Sequence, residues 1–418
     1  MRPTVPRVLI HCGVAAAGAV CLSASAVTPD PALDTRALWV VRTSLTSPDA
    51  IGTMVRTAAD TGFTTLFVQV RGRGEVFYES DLEPRASGLA PATEFDPLAL
   101  TLELAHDAGL SVHAWVNVNL VASAAALPRS PTHVATRHPE WLMLPRELVR
   151  QLHDVAPDEP EYASVLARWT RDASDRVEGL YLSPILPAAQ DYTVGVVREL
   201  VDRYPIDGLH LDYVRYPDES FDYSRQALRE FRASELAVRP AAERDQLDHD
   251  LETSPDAWVA ALPDAWATFR RDRLTTLVSR LSAAARALRP AIAVSAAVVP
   301  RPVEAADRRF QDWVSWAERR YLDAVCPMIY TTDSATFEAE VGAAREALPT
   351  GELWAGVGVY RLSAWRAATH IRLARDGGAS GVALFSYDSL AAQRDGGAAY
   401  LAHIGPVLLE PAPANRLP

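Results

Sequence analysis

The chain has 418 residues, 49% of them hydrophobic and 22% charged, and a formal net charge of −12. That length suits one large barrel or two smaller domains, and the acidic balance offers no basic patch for nucleic acid and no basis for docking on anionic lipid. The sequence contains no lysine, which excludes Schiff-base chemistry, a phosphate-binding P-loop and lysine-activated nucleophiles.

Residues 1–26 read as a secretory signal. MRPTVPR carries two arginines and no acid, an uncharged Ala-rich run follows, and Ala24-Ser25-Ala26 fits a small-x-small cleavage site. The expectation is an exported protein, with an uncleaved anchor as the alternative. Residues 27–35 read as a Pro-containing linker, 36–410 as the folded domain and 411–418 as a tail. No other run could span a membrane, so no span is expected once the signal is cleaved. Cys12 and Cys21 fall in the signal. Cys326, inside DAVCPMIY, is then a lone thiol, expected to be a buried small hydrophobe.

From Arg36 onward, short β-rich apolar runs alternate with helical patterns. The predicted strands cover 36–44, 64–72, 110–120, 207–217, 291–300, 323–332, 352–360 and 381–389. Eight strands separated by crossover segments predict a (β/α)8 barrel. An open doubly wound sheet is the alternative, disfavoured because no glycine-rich phosphate loop follows the first strand. Ser47-Pro48 and Asp96-Pro97 are predicted helix starts, Gly62 and Gly109 predicted ends, and Pro263 to Leu288 a long amphipathic helix. Long insertions follow strand three (121–186) and strand four (about 218–260), on the side where barrel active-site loops gather.

Strand alternation sorts the polar residues. In the third strand His113, Trp115, Asn117 and Asn119 share one face against an all-apolar other face, which assigns them to the interior and the cleft. A closed structural hydrogen-bond network is the alternative for this cluster. In the second strand Phe67, Gln69, Arg71 and Arg73 face in, and Glu75 follows directly after RGRG, either in the cleft or in a solvated turn. Arg42 shares a face with Leu38 and Val40 and is read as an inward charge needing a partner. In the fourth strand Gly208, His210 and Asp212 share a face, so Asp212 points inward near the strand end, followed by Tyr213 and Arg215. A carboxylate there needs pairing, and Arg215, Arg71 and Arg42 are the possible partners. A structural ion pair, or metal ligation by His210 and Asp212, are the competing readings. Tyr330, Tyr360 and Tyr387, with Asp333 and Asp388, are further cleft candidates near later strand ends.

At these residues the chain resembles the glycosyl hydrolase-like 10 family of bacterial proteins. The resemblance runs from about Arg36 to Gly405. It is carried by RALWV, FVQVRGRGEVFYES, FDPLALTLELAHDAGLSVHAWVN, HPEWL, LYLSPILPAAQDY and DGLHLDYVRYP, with weaker echoes at DAVCPMIYTT and GVALFSYDS. It implies a barrel and a glycosidase acting on cell-envelope or other polysaccharide, with peptidoglycan glycan strands among the candidate substrates; no cofactor is expected. Carried over by position, it implies Asp212 as catalytic carboxylate, and His113, Trp115 and Asn117 match the family's H-A-W-x-N signature. Two departures stand out. Many relatives have two consecutive acids where this chain has Asp212-Tyr213, and Asn-Pro where it has Ser183-Pro184.

The resulting expectation is glycoside hydrolysis by two carboxylates. Asp212 is nucleophile or charge stabiliser, Glu75 the acid/base, and Asp333 and Asp388 the reserves. Arg71 and Arg215 keep Asp212 ionised. The expected substrate contacts are Arg42, Gln69, Arg71, His113, Trp115, Asn117, Asn119, His210, Tyr213, Arg215, Tyr330, Tyr360 and Tyr387. A barrel that binds glycan without cutting it, and a metal-dependent hydrolase using His210, Asp212 and His113, are the alternatives.

Overall fold

In a computed structural model the described residues are 35–89, 95–393, 395 and 397–411. The predicted signal, and all but one residue each of the predicted linker and tail, lie outside them. Eight parallel strands form the centre: β1 (Thr35–Val40), β2 (Thr65–Gly72), β3 (Ser111–Asn117), β4 (Gly208–Asp212), β5 (Ala293–Val298), β6 (Ala324–Ile329), β7 (Glu352–Val357) and β8 (Gly381–Leu384). Each pairs with the next, and β1 pairs with both β2 and β8, which closes the barrel. Every predicted run overlaps one barrel strand, and closure excludes the open sheet. The runs at 36–44, 207–217 and 381–389 extend well past their strands. The strands stop at Val40 and Asp212, where a 3-10 turn (Arg42–Ser44) and a left-handed residue, Tyr213 (φ 51°), turn the chain aside.

The period-2 alternation has a direct packing consequence. Leu38, Val40, Leu66, Val68, Val112 and Leu209 point outward into the apolar layer shared with the surrounding helices. Trp39, Phe67, Trp115 and Trp354 point inward and fill the barrel, with Ala37, Ala324, Cys326 and Ala383 filling the spaces beside them. The lone thiol Cys326 is buried there, as expected. The helix starts follow from local chemistry. Ser47 Oγ accepts the Ala50 N–H (3.3 Å) and Asp96 Oδ1 the Ala99 N–H (3.0 Å), each with proline opening the helix. The long helix spans Pro263–Leu288 as predicted. No helix among the described residues is long and apolar enough to cross a membrane.

The two insertions form a wall beside the barrel. The first contains an antiparallel ribbon, Leu120–Ser123 with Gly179–Tyr181, and the helix Pro160–Asp172. The second contains helices Arg225–Leu236 and Ala241–Leu251. They share one apolar cluster, in which Val121, Leu142 and Leu166 of the first meet Phe231, Leu247 and Trp258 of the second. The buried carboxylate of Asp222 joins them further by accepting the Leu144 N–H (2.8 Å) and the Ser224 N–H (2.9 Å).

Gly208 opens β4 because β3 leaves no room for a side chain. A Cβ there would stand 2.4 Å from the His113 ring. Gly208→Ala is therefore expected to destabilise the protein by about 1–3 kcal/mol through overpacking, read as a lower urea midpoint with an unchanged m-value.

Candidate active site

Asp212 ends β4 and is buried. Three donors from nearby segments reach its carboxylate. The Trp115 indole N–H donates to Oδ2 (3.0 Å), the Tyr213 amide to Oδ1 (2.6 Å), and the Arg215 guanidinium lies 3.4 Å from Oδ1. The left-handed backbone at Tyr213 is what turns its N–H back onto the preceding side chain. Burial pushes the Asp212 carboxyl above its ordinary pKa, opposed by Arg215 and the two hydrogen bonds. Arg215 keeps its proton beside Asp212 and stacks 4.3 Å over the Tyr213 ring. Its other arm approaches Glu178 Oε1 (3.6 Å), and the Tyr181 hydroxyl donates to Glu178 Oε2 (2.5 Å).

Asp212 opens into a cavity of about 220 Å³. Its aromatic walls are Trp39, Trp115, Tyr330 and Phe385, with Tyr213 and Arg215 at the Asp212 side. Its polar lining includes Arg42, Gln69, Arg73 and Asn117. Gln69 links two of these, donating to Asn117 Oδ1 (3.3 Å) and accepting from Arg42 Nη1 (2.8 Å). Among the described residues, Asp212 is the one carboxylate lining this cavity.

The predicted residues thus divide. Arg42, Gln69, Trp115, Asn117, Asp212, Tyr213, Arg215 and Tyr330 come together at the cavity. Arg42 arrives by a different route from the one expected. Leu38 and Val40 face the helices, and the chain has already left β1 when Arg42 turns over the mouth. Arg71 turns away from Asp212. It forms a two-pronged, fully buried ion pair with Glu83 (2.7 and 2.6 Å), donates to the backbone carbonyls of Asn117 and Val118, and belongs to the architecture beneath the site. A register shift between Gln69 and Arg71 carries it out of the inward face. Asn119 is also turned to scaffolding, donating to the Arg215 carbonyl (3.2 Å).

Glu75 lines a neighbouring cavity rather than that of Asp212, and lies 3.3 Å from the Ser87 hydroxyl. Asp388 is occupied below the rim, accepting from the Val41 N–H (2.7 Å) and the Thr43 and Ser44 hydroxyls (2.9 and 2.6 Å). Asp333 is a helix N-cap, accepting the Thr336 N–H (2.8 Å). Tyr387 is buried outside the cavity, and Tyr360 stands half-exposed at the rim, edge-on to Tyr330. His210 is enclosed in the barrel. Its Nε2 accepts the Trp39 indole N–H (3.2 Å), which leaves Nδ1–H to face Ser295 Oγ (2.9 Å). Burial holds it neutral, and likewise lowers the His113 pKa to about 4. With both His210 nitrogens engaged, no group of three or more His, Cys, Asp or Glu suited to a metal ion occurs among the described residues.

Sequence reasoning missed Glu178, which lies in RVEGLYL within an insertion and reaches Arg215 only because of the ribbon pairing. It also missed Glu83, the partner of Arg71, and the aromatic walls Trp39 and Phe385. The indole of Trp39 was legible, since strand alternation opposes it to Leu38 and Val40.

Comparison with known proteins agrees with this geometry. Residues 34–361 match the profile of the glycosyl hydrolase-like 10 family. The chain belongs to this family. Among curated relatives, glycosyl hydrolase DigH of Escherichia coli K12 is 25% identical over 288 residues, 64% of this chain and 55% of that protein. Glycosyl hydrolase YngK of Bacillus subtilis is 22% identical over 290 residues, 64% of this chain and 46% of that protein. The chain therefore spans about half the length of these relatives. Among solved structures, the PgaB glycoside hydrolase domain of Bordetella bronchiseptica superposes with a TM-score of 0.61 at 15% identity, covering 88% of this chain and 98% of that one. The β-amylase catalytic domain of Paenibacillus polymyxa gives 0.58 at 10% identity, covering 90% and 98%. Both likenesses are of fold.

The placement of Arg71 has a measurable consequence. Arg71→Met leaves Glu83 buried without its partner, and is expected to cost about 3–5 kcal/mol. Adding Glu83→Leu should recover much of that loss, seen by urea denaturation of the single and double variants.

Proposed function

We propose that this protein is an exported glycoside hydrolase acting on a bacterial cell-envelope or other polysaccharide, with peptidoglycan glycan strands among the candidates, and that Asp212 is its central carboxylate. The observation carrying this reading is a buried carboxylate at the bottom of an aromatic-walled cavity, held by Trp115, Tyr213 and Arg215. Aromatic faces suit the apolar faces of sugar rings, and a fixed anion suits an oxocarbenium-like transition state. Membership of a hydrolase-like family and the likeness to glycosidase barrels support the reaction class. Export rests on the signal-like N-terminal sequence.

In this mechanism Asp212, ionised beside Arg215, attacks or stabilises the anomeric centre, and Trp115 fixes the orientation of its carboxylate. The second carboxylate has two candidates. Glu75 is the one its position in the sequence suggests, and it opens on the adjoining cavity. Glu178 is the stronger, because Arg215 touches it and Asp212 with its two arms. One shared guanidinium keeps the two groups within roughly 9.5 Å, the outer limit for a catalytic carboxylate pair. Because Asp212 is the one carboxylate among the described residues that line the cavity, a barrel that holds glycan without cleaving it is the second reading.

Release of reducing ends separates the two. Asp212→Asn is expected to lower hydrolysis of glycan strands by about 10³-fold while strand binding persists. Wild-type protein that binds strands and releases no reducing ends supports the non-cleaving barrel instead. A second expectation concerns pH. The raised Asp212 pKa means that the reactive anion is lost as pH falls through a value above the ~3.9 of an ordinary aspartate. The acid limb of kcat/KM should therefore lie above that value, and a limb at or below it contradicts the assignment.

A further inference from the structure

We infer that the substrate carries a carboxylate-bearing sugar, and that Arg73, with Arg42, binds this group on the ridge between the Asp212 cavity and the neighbouring one; this deepens the glycoside hydrolase reading and rests on it. Both arginines line both cavities. The second cavity, of about 330 Å³, is walled by Thr43, Ser87, Ser123 and Phe77, with Glu75 at one side. A glycan that fills the first cavity and continues into the second crosses the two guanidinium groups.

Three observations point to an anion on that ridge. First, the charge is inverted relative to the whole chain. The Asp212 cavity is lined by Arg42, Arg73 and Arg215 against the single carboxylate of Asp212, in a protein of net charge −12. Second, Arg73 has no hydrogen bond or ion pair to its side chain among the described residues, and it is exposed. Arg42 is held by Gln69 and has no carboxylate within ion-pair distance among the described residues. Its guanidinium pKa is lowered by burial and by the charge of Arg73, and Glu75 and Asp388 only partly offset this. Two cations facing one gap repel until an anion enters.

Third, the backbone beneath Arg73 is fixed while its side chain is left free. Arg73 adopts a left-handed φ of 62°, which an arginine rarely takes without a reason in its surroundings. Its carbonyl accepts a hydrogen bond from the buried His133 Nε2 (2.9 Å), and His133 Nδ1 in turn accepts the Ala135 N–H (3.1 Å). The next residue, Gly74 (φ 69°), lies so close to that ring that a Cβ would stand 2.6 Å from Nε2. The first insertion thus clamps the loop and presents the guanidinium. The planar fork of arginine matches a carboxylate with two parallel hydrogen bonds, and a pair of forks matches it better than a compact ammonium would. A glycan of free amino sugars meets repulsion at the same point.

The test uses the full chain carrying Asp212→Asn, so that binding is read without cleavage. The probes are glycan strands of peptidoglycan, polygalacturonate, alginate and hyaluronan, each beside the same polymer with its carboxylates reduced to alcohols. Arg73→Gln should weaken binding of the best carboxylated probe by about ten-fold or more, leave its reduced form unaffected, and flatten the salt dependence of binding. Arg73→Lys should recover part of the loss. Equal binding of native and reduced polymers, equal weakening of both by Arg73→Gln, or no binding of any carboxylated polymer overturns the inference. Failure of the hydrolase reading is seen separately, as wild-type protein that binds a carboxylated polymer and releases no reducing ends from it.

Discussion

A carboxylate held inside a barrel must receive its hydrogen bonds from neighbours, because few water molecules can reach it. Asp212 receives them from β3 through Trp115, from its own turn through the Tyr213 amide, and from Arg215. Each donor depends on something further out. Trp115 is seated by the aromatic filling of the barrel. Tyr213 needs a left-handed backbone to aim its N–H. Arg215 is steadied by Tyr213 beneath it, by Glu178 at its far arm and by Asn119 at its carbonyl. Barrel closure, the turn after β4 and the ribbon of the first insertion are thereby coupled through one side chain.

The sequence made the barrel readable because each strand obeys a two-residue alternation and each early helix opens on a capping residue with proline. The inward assignments of Trp115, Asn117 and Asp212 rest on the same alternation. It failed where the alternation itself ended. Arg42 and Arg71 were read as continuing a strand face, yet one lies beyond the end of β1 and the other beyond a register shift. The acids were harder still. Asp333 and Asp388 sit near strand ends, as catalytic acids of barrels do, but Asp333 is consumed by the helix it caps and Asp388 by donors from the turn after β1. Asp333-Ser-Ala-Thr336 was open to reading as a helix cap. The reach of Glu178 to Arg215 depends on a pairing between segments about sixty residues apart, which no local pattern encodes.

The absence of lysine shapes the architecture as well as the chemistry. Buried and half-buried arginines repeatedly close the ends of loops by donating to backbone carbonyls. Arg270 reaches the Glu219 carbonyl (2.7 Å) while its guanidinium lies 3.9 Å over the Phe310 ring. Arg289 reaches the Tyr204 carbonyl (2.9 Å), and Arg375 the Val407 carbonyl (2.7 Å). A guanidinium has five donors in one plane and keeps its charge when buried, so one side chain can satisfy several carbonyls at once. Arg71 does the same beneath the candidate site, with Glu83 balancing its charge.

The wall made by the two insertions has its own apolar cluster, distinct from the one that binds the helices to the barrel. Cooperative units of a protein follow such boundaries. The wall is therefore held together by contacts separate from those that hold the strands, and Asp222 and the shared cluster tie its two halves into one piece.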